Sequence, residues 1–79
     1  MFMNDELRAA RAERLLTQDE VVERINALGV PCHPDAYRKW EQGGYAPTAV
    51  RFMAVCQVLQ IDPWRLVRFP LEETEVDGA

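Results

Sequence analysis

The sequence predicts an all-α domain of five short helices, and three observations carry that expectation. Apolar residues recur at helical spacing, as in Val21, Val22, Ile25 and Leu28. Helix starts are marked by Thr17 with Glu20 and by Asp62 with Pro63. Glycine and proline interrupt the pattern at 29–34 and 43–47. With 79 residues, 48% of them apolar, the chain has enough material for one small core. Helices suit so short a chain because their backbone bonds are local.

In the first helix Asn4 is the expected cap, and Asp5 and Glu6 occupy the turn where the helix dipole favours anions. Residues 1–3 are expected to be loose, with Phe2 available to cover a core edge. Leu7, Ala10 and Arg14 share one stripe, with Arg11 beside it. Leu15 and Leu16 are expected to end the helix and pack into the core. Thr17 then opens a capping box with Glu20, so the second helix starts at Gln18. Gly29 stands where a left-handed residue ends it. The link GVPCHP cannot stay helical, because each proline removes a donor and restricts its predecessor.

Pro34 fits the first turn of a third helix, which carries Tyr37 and Trp40 inward and Asp35, Arg38 and Lys39 outward, and which Gln42, Gly43 and Gly44 stop. A capped helix, a bent link and a short helix with a cationic outer face make a helix-turn-helix. After the loop from Gly43 to Pro47, Thr48 caps a fourth helix over roughly 48–59. Asp62 and Pro63 open a short fifth helix to about Arg68, and Pro70 ends it. This divides the chain into a body, residues 1–69, and an acidic tail, residues 70–79, with too little apolar content to fold alone.

The fourth helix is apolar nearly all round. Ala49, Phe52, Val55, Cys56 and Leu59 make one stripe; Val50, Met53, Ala54 and Val58 make a second, turned away. A helix apolar on both sides is buried on both. Val50, Met53, Val58 and Trp64 are therefore the expected surface for a second copy or another protein. The competing reading folds the fifth helix and residues 69–71 over the same face.

The net charge is −4, but the tail holds four acids and no base, so residues 1–69 balance nine Lys/Arg against nine Asp/Glu. Attraction to nucleic acid is then modest overall and depends on where the bases lie. Cys32 and Cys56 lack metal-ligand spacing and read as reduced thiols, with Cys56 in the core. His33 has no pair of further ligands around it, so no metal is expected. No run approaches the ~20 apolar residues of a membrane span, and no secretory leader is expected, which points to the cytoplasm. Paired carboxylates, a Ser/His/Asp or Cys/His set and a phosphate-binding glycine loop are all missing, so neither catalysis nor a cofactor is expected.

Three segments in order, LRAARAERLLTQDEVVERI, YRKWEQGGYAP and AVRFMAVCQVLQIDPWRLV, resemble the lambda-repressor/Cro helix-turn-helix domains, the XRE family. The resemblance covers roughly residues 4–68 and departs from the family in a longer stretch between Gln18 and Glu41. It implies a five-helix domain lengthened between helices 2 and 3, whose third helix enters the major groove of double-stranded DNA. His33, Pro34, Asp35, Ala36, Arg38 and Lys39 then lie on the base-reading stretch. Gln18 matches a phosphate contact, and Gln42, Gly43, Gly44 and Tyr45 match a second phosphate clamp. That loop lacks the Lys or Arg usual there, and Arg14 or Arg24 would have to supply charge. Arg11 is implied to pair with Glu41 and tie the first helix to the end of the third.

The implied function is a sequence-specific transcriptional regulator, a repressor acting as a homodimer on an inverted repeat. A module that binds protein through the apolar stripe of helix 4 is the alternative.

Overall fold

The computed structural model describes residues 1–68. Its elements are four α-helices, α1 (Asn4–Glu13), α2 (Gln18–Ala27), α3 (Pro34–Gln42) and α4 (Ala49–Leu59), and a 3-10 turn at Pro63–Arg65. The expected fifth helix is thus only one short turn. Asp62 caps it, accepting from the Trp64 amide at 2.9 Å. It does not continue to Arg68, because Val67 leaves to form an antiparallel bridge with Phe2. That bridge also corrects the expectation that residues 1–3 are loose. Met3 N donates to Leu66 O at 2.7 Å and Arg68 N to Met1 O at 2.8 Å, so the two ends pair with each other. Phe2 meets Phe52 edge-on, with ring centroids 6.2 Å apart.

The helices pack in series, α1 on α3, α2 on both α3 and α4, and α4 on the 3-10 turn. Leu7 and Ala10 of α1, Val21, Val22 and Ile25 of α2, Tyr37 and Trp40 of α3, and Ala54, Val55, Cys56 and Leu59 of α4 form one core with Cys32 and Leu66. Two expectations for α4 are corrected. Ala54 is buried and Ala49 exposed, because the helix turns the 54–55–56 arc onto α2. Val58 is half-buried against the core.

Helix ends explain the remaining differences. α2 starts as expected, with Thr17 and Glu20 bonded reciprocally at 2.8 and 3.1 Å. Asn4 is not the cap of α1. Met3 holds that place, and the Asn4 amide donates instead to Glu41 O at 3.2 Å. Thr48 has the extended backbone of a cap but makes no capping bond.

At their C-termini α1, α2 and α4 share one closure, in which the residue following a left-handed one reaches back five residues. Leu16 N bonds Arg11 O, Val30 N bonds Ile25 O, and Ile61 N bonds Cys56 O. The residue before each has positive φ: Leu15, Gly29 and Gln60. In each case the next residue, Leu16, Val30 or Ile61, packs against the core. This corrects the placement of Leu15. Its left-handed backbone turns the side chain out, 89% exposed, and hands the core position to Leu16. Leu28, the cap of α2, is also mostly out of the core.

Among the described residues no helix is long and apolar enough to cross a membrane. Residues 69–79, and with them the expectations for Pro70 and the acidic tail, lie outside the described residues.

Candidate functional site

α3 has two faces of opposite character. Inward, Tyr37 and Trp40 are buried with their rings edge to face, centroids 5.6 Å apart. Glu41, one turn on from Tyr37, is also buried, only 2% exposed. Its carboxylate is held by Arg11 from α1, Nε to Oε2 at 2.6 Å and Nη2 to Oε1 at 3.0 Å. Gln18, the first residue of α2, donates from Nε2 to Oε1 at 2.9 Å. Arg11 also donates to Leu16 O at 3.0 Å, and Arg8 and Asn4 donate to the Glu41 carbonyl. One carboxylate therefore joins α1, the start of α2 and the end of α3.

Burial would raise the Glu41 pKa, but the bonds from its neighbours, Arg11 foremost, overcome that and hold it below the ordinary carboxylate value. The same contact raises the Arg11 pKa. The buried Tyr37 hydroxyl is close enough for its ionisation to feel both charges, yet it makes no hydrogen bond of good geometry. Burial, reinforced by Glu41, pushes its pKa well above the ordinary phenol value.

Gln18 was expected on a phosphate, but its side chain is committed to Glu41. Its backbone amide remains at the open start of α2, where the capping box leaves donors facing out. In the second expected clamp, Gly43 N is likewise committed, to Lys39 O at 3.1 Å. Gln42 is the last residue of α3. The amides of Gly44 and Tyr45 make no hydrogen bond among the described residues. Tyr45 is exposed, with the Lys39 ammonium 5.2 Å from its ring centre. A cation from α3 thus stands over this base-poor loop. Arg14 does not serve it, since it donates to Leu59 O at 2.9 Å and Gln60 O at 3.3 Å, closing the end of α4. Arg24 is exposed on the outer side of α2.

The outer face of α3 is short and polar. His33 caps the helix, Nδ1 accepting from Asp35 N at 3.0 Å, and Pro34 takes the first helical position. Asp35 and Arg38, one turn apart and both exposed, are paired with each other. Lys39 is exposed beside them, whereas Ala36 is half-turned inward against the core.

A residue the sequence analysis passed over holds the link in place. Asn26 donates to Val22 O and Cys32 O and accepts from Cys32 N, each at 3.0 Å. Arg51 adds a bond to Pro31 O at 2.7 Å. An asparagine near the end of a helix, just before a two-proline link, was the available signal. Cys32 and Cys56 are both buried and unpaired, and burial raises both thiol pKa values, so they are protonated at neutral pH.

Elsewhere on the surface, on α4 and the 3-10 turn, Val50, Met53 and Trp64 are exposed. Beside them Phe52, Pro63, Trp64 and Val67 line an apolar hollow of about 230 Å³. Among the described residues no group of three His, Cys, Asp or Glu side chains is placed to hold a metal. Comparison with family models, with curated proteins and with solved structures finds no match to this chain.

Proposed function

We propose that this protein is a DNA-binding transcriptional regulator of the lambda-repressor/Cro helix-turn-helix type, a cytoplasmic repressor acting as a homodimer on an inverted repeat. The observation that supports this reading is the two-sided α3. Tyr37, Trp40 and Glu41 lock it from within, while Asp35, Arg38 and Lys39 stand exposed on its other side. The open start of α2 is fastened to the C-terminal end of α3 through Gln18. A major groove admits one helix, and donors at a neighbouring helix start can take the flanking phosphate.

In this mechanism Arg38 and Asp35 meet base edges, while His33, Pro34 and Ala36 line the entry of the helix. Lys39, the Gln18 backbone amide and the amides of Gly44 and Tyr45 take phosphates. A dimer seated on Val50, Met53, Val58 and Trp64 would present two such helices about 34 Å apart, one turn of duplex. Occupancy would then exclude polymerase.

Selection from a random duplex pool at physiological salt tests the reading. The expected result is an enriched inverted repeat that is lost in Arg38→Ala/Lys39→Ala. Binding should weaken with salt, at a log–log slope near −0.9 per phosphate neutralised. A folded protein that enriches nothing would overturn the assignment.

The exposed Val50, Met53 and Trp64 also favour a second reading, a module that docks another protein. In that case Met53→Glu abolishes partner binding and the α3 substitutions leave it intact. For the repressor, Met53→Glu yields a folded monomer in sedimentation, with weakened operator binding.

A further inference from the structure

The α3 surface carries a feature that a generic cationic helix lacks: its arginine is already engaged. Arg38 is bonded to the Asp35 carboxylate one turn earlier, with 45% and 62% of the two side chains exposed. Asp35 is itself pinned at the helix start through its amide, which donates to His33 Nδ1 at 3.0 Å. Resting on the DNA-binding reading above, we infer that Asp35 and Arg38 act as one specificity-determining unit, which selects a G·C base pair in the half-site and suppresses binding to unrelated duplex.

The chemistry follows from the two groups and the groove. A guanidinium has five N–H donors in a planar fork, and Asp35 occupies only one part of it. A carboxylate accepts in several directions, so Asp35 keeps capacity after bonding Arg38. Across its major-groove edge a G·C pair offers two adjacent acceptors, guanine N7 and O6, followed by the cytosine N4 donor. Arg38 takes the acceptors, Asp35 takes the donor, and their mutual bond is kept. An A·T pair places the N6 donor between its acceptors N7 and O4, so the fork cannot bond two acceptors side by side. On unrelated DNA the pair meets only phosphates, and the Asp35 charge cancels the attraction Arg38 would otherwise supply.

The test compares the protein with Asp35→Asn, Arg38→Ala, Arg38→Lys and the double variant Asp35→Asn/Arg38→Ala. Each is subjected to pool selection and to titration of unrelated duplex against salt. Circular dichroism and thermal melting confirm that the folds are equal. The expected result is one G·C position whose discrimination falls about tenfold or more in Asp35→Asn and in Arg38→Ala. The double variant should lose no more than the worse single one, as coupled residues do. Asp35→Asn should also bind unrelated duplex more tightly. Arg38→Lys should keep the salt slope yet lose the G·C position, because a lysine has charge without the fork.

An enriched site whose every position survives Asp35→Asn overturns the inference while leaving the DNA-binding reading in place. So does independent loss of two different positions by the single variants. If the unaltered protein enriches no site, the reading and the inference fall together.

Discussion

α3 carries an arginine–carboxylate pair on each of its faces, and the two have little in common beyond their chemistry. The inner pair, Arg11 with Glu41, is bidentate, joins two helices, and has its carboxylate only 2% exposed. The outer pair, Arg38 with Asp35, lies within one turn and is open to water. Removing one partner of a buried pair strands a charge that water cannot reach. Removing one partner of an exposed pair leaves a charge that water solvates. Burial, not pairing, decides which arginine holds the fold and which is free to be used.

The largest expected effect tests the inner side of that comparison. Arg11→Ala leaves Glu41 charged and buried with only Gln18 on its carboxylate, and should cost about 3 kcal/mol or more. In a domain of this size each kcal/mol lowers the melting temperature by about 4–8 °C. An unchanged melting curve would end the claim that this pair ties α1 to α3.

The acid limb of stability sharpens the same point. The Glu41 carboxyl is held below its ordinary value in the folded chain. Near the ordinary carboxylate pKa of about 4.3 the unfolded chain therefore binds more protons. The Glu41 contribution is fully present above that pH and is lost as pH falls through the lower folded value. Glu41→Gln should be less stable than the native chain at neutral pH, with the difference shrinking as the pH drops below about 4. A difference constant across that range would show that the carboxylate charge is not what stabilises.

Of intermediate size is Asn26→Ala, which strands the amide and carbonyl of the buried Cys32 and should cost about 1–3 kcal/mol. Hydrogen exchange should then show the 28–33 link opening before α1.

On the outer face, Arg38→Ala should change stability by no more than about 0.5 kcal/mol. A larger loss would mean that this pair, too, supports the fold. A further effect concerns a helix end. Leu15→Gly relieves a left-handed backbone worth about 1–2 kcal/mol but adds about 0.5–1 kcal/mol of chain entropy. A net gain of no more than about 1.5 kcal/mol in chemical denaturation is expected. A net loss would show that the exposed Leu15 side chain contributes a contact.

Much of this architecture could be read from residue order. The capping box at Thr17, the proline that opens α3 and the inward placement of Tyr37 and Trp40 follow from spacing and side-chain chemistry. α2 closes at Gly29, and glycine advertises a left-handed turn. α1 and α4 close in the same way through Leu15 and Gln60, which carry no such signal, so Leu15 was assigned to the core. Likewise Asn4 is a fitting cap by type, but the Glu41 carbonyl lies within its reach only once α1 and α3 have packed.

Local sequence therefore determined where α2 and α3 begin, which of their faces are apolar, and that the third carries its cations outward. Those properties depend on groups a few residues apart, whose geometry a single helix sets. Tertiary structure alone decided that Gln18 turns to Glu41, that Arg14 closes α4, and that the first residues pair with Leu66 and Arg68. Each joins groups far apart in the chain, and a long side chain takes whichever acceptor the packed helices bring within about 3 Å. The outer face of α3 belongs to the first class. Its inner lock, which sets where that face points, belongs to the second.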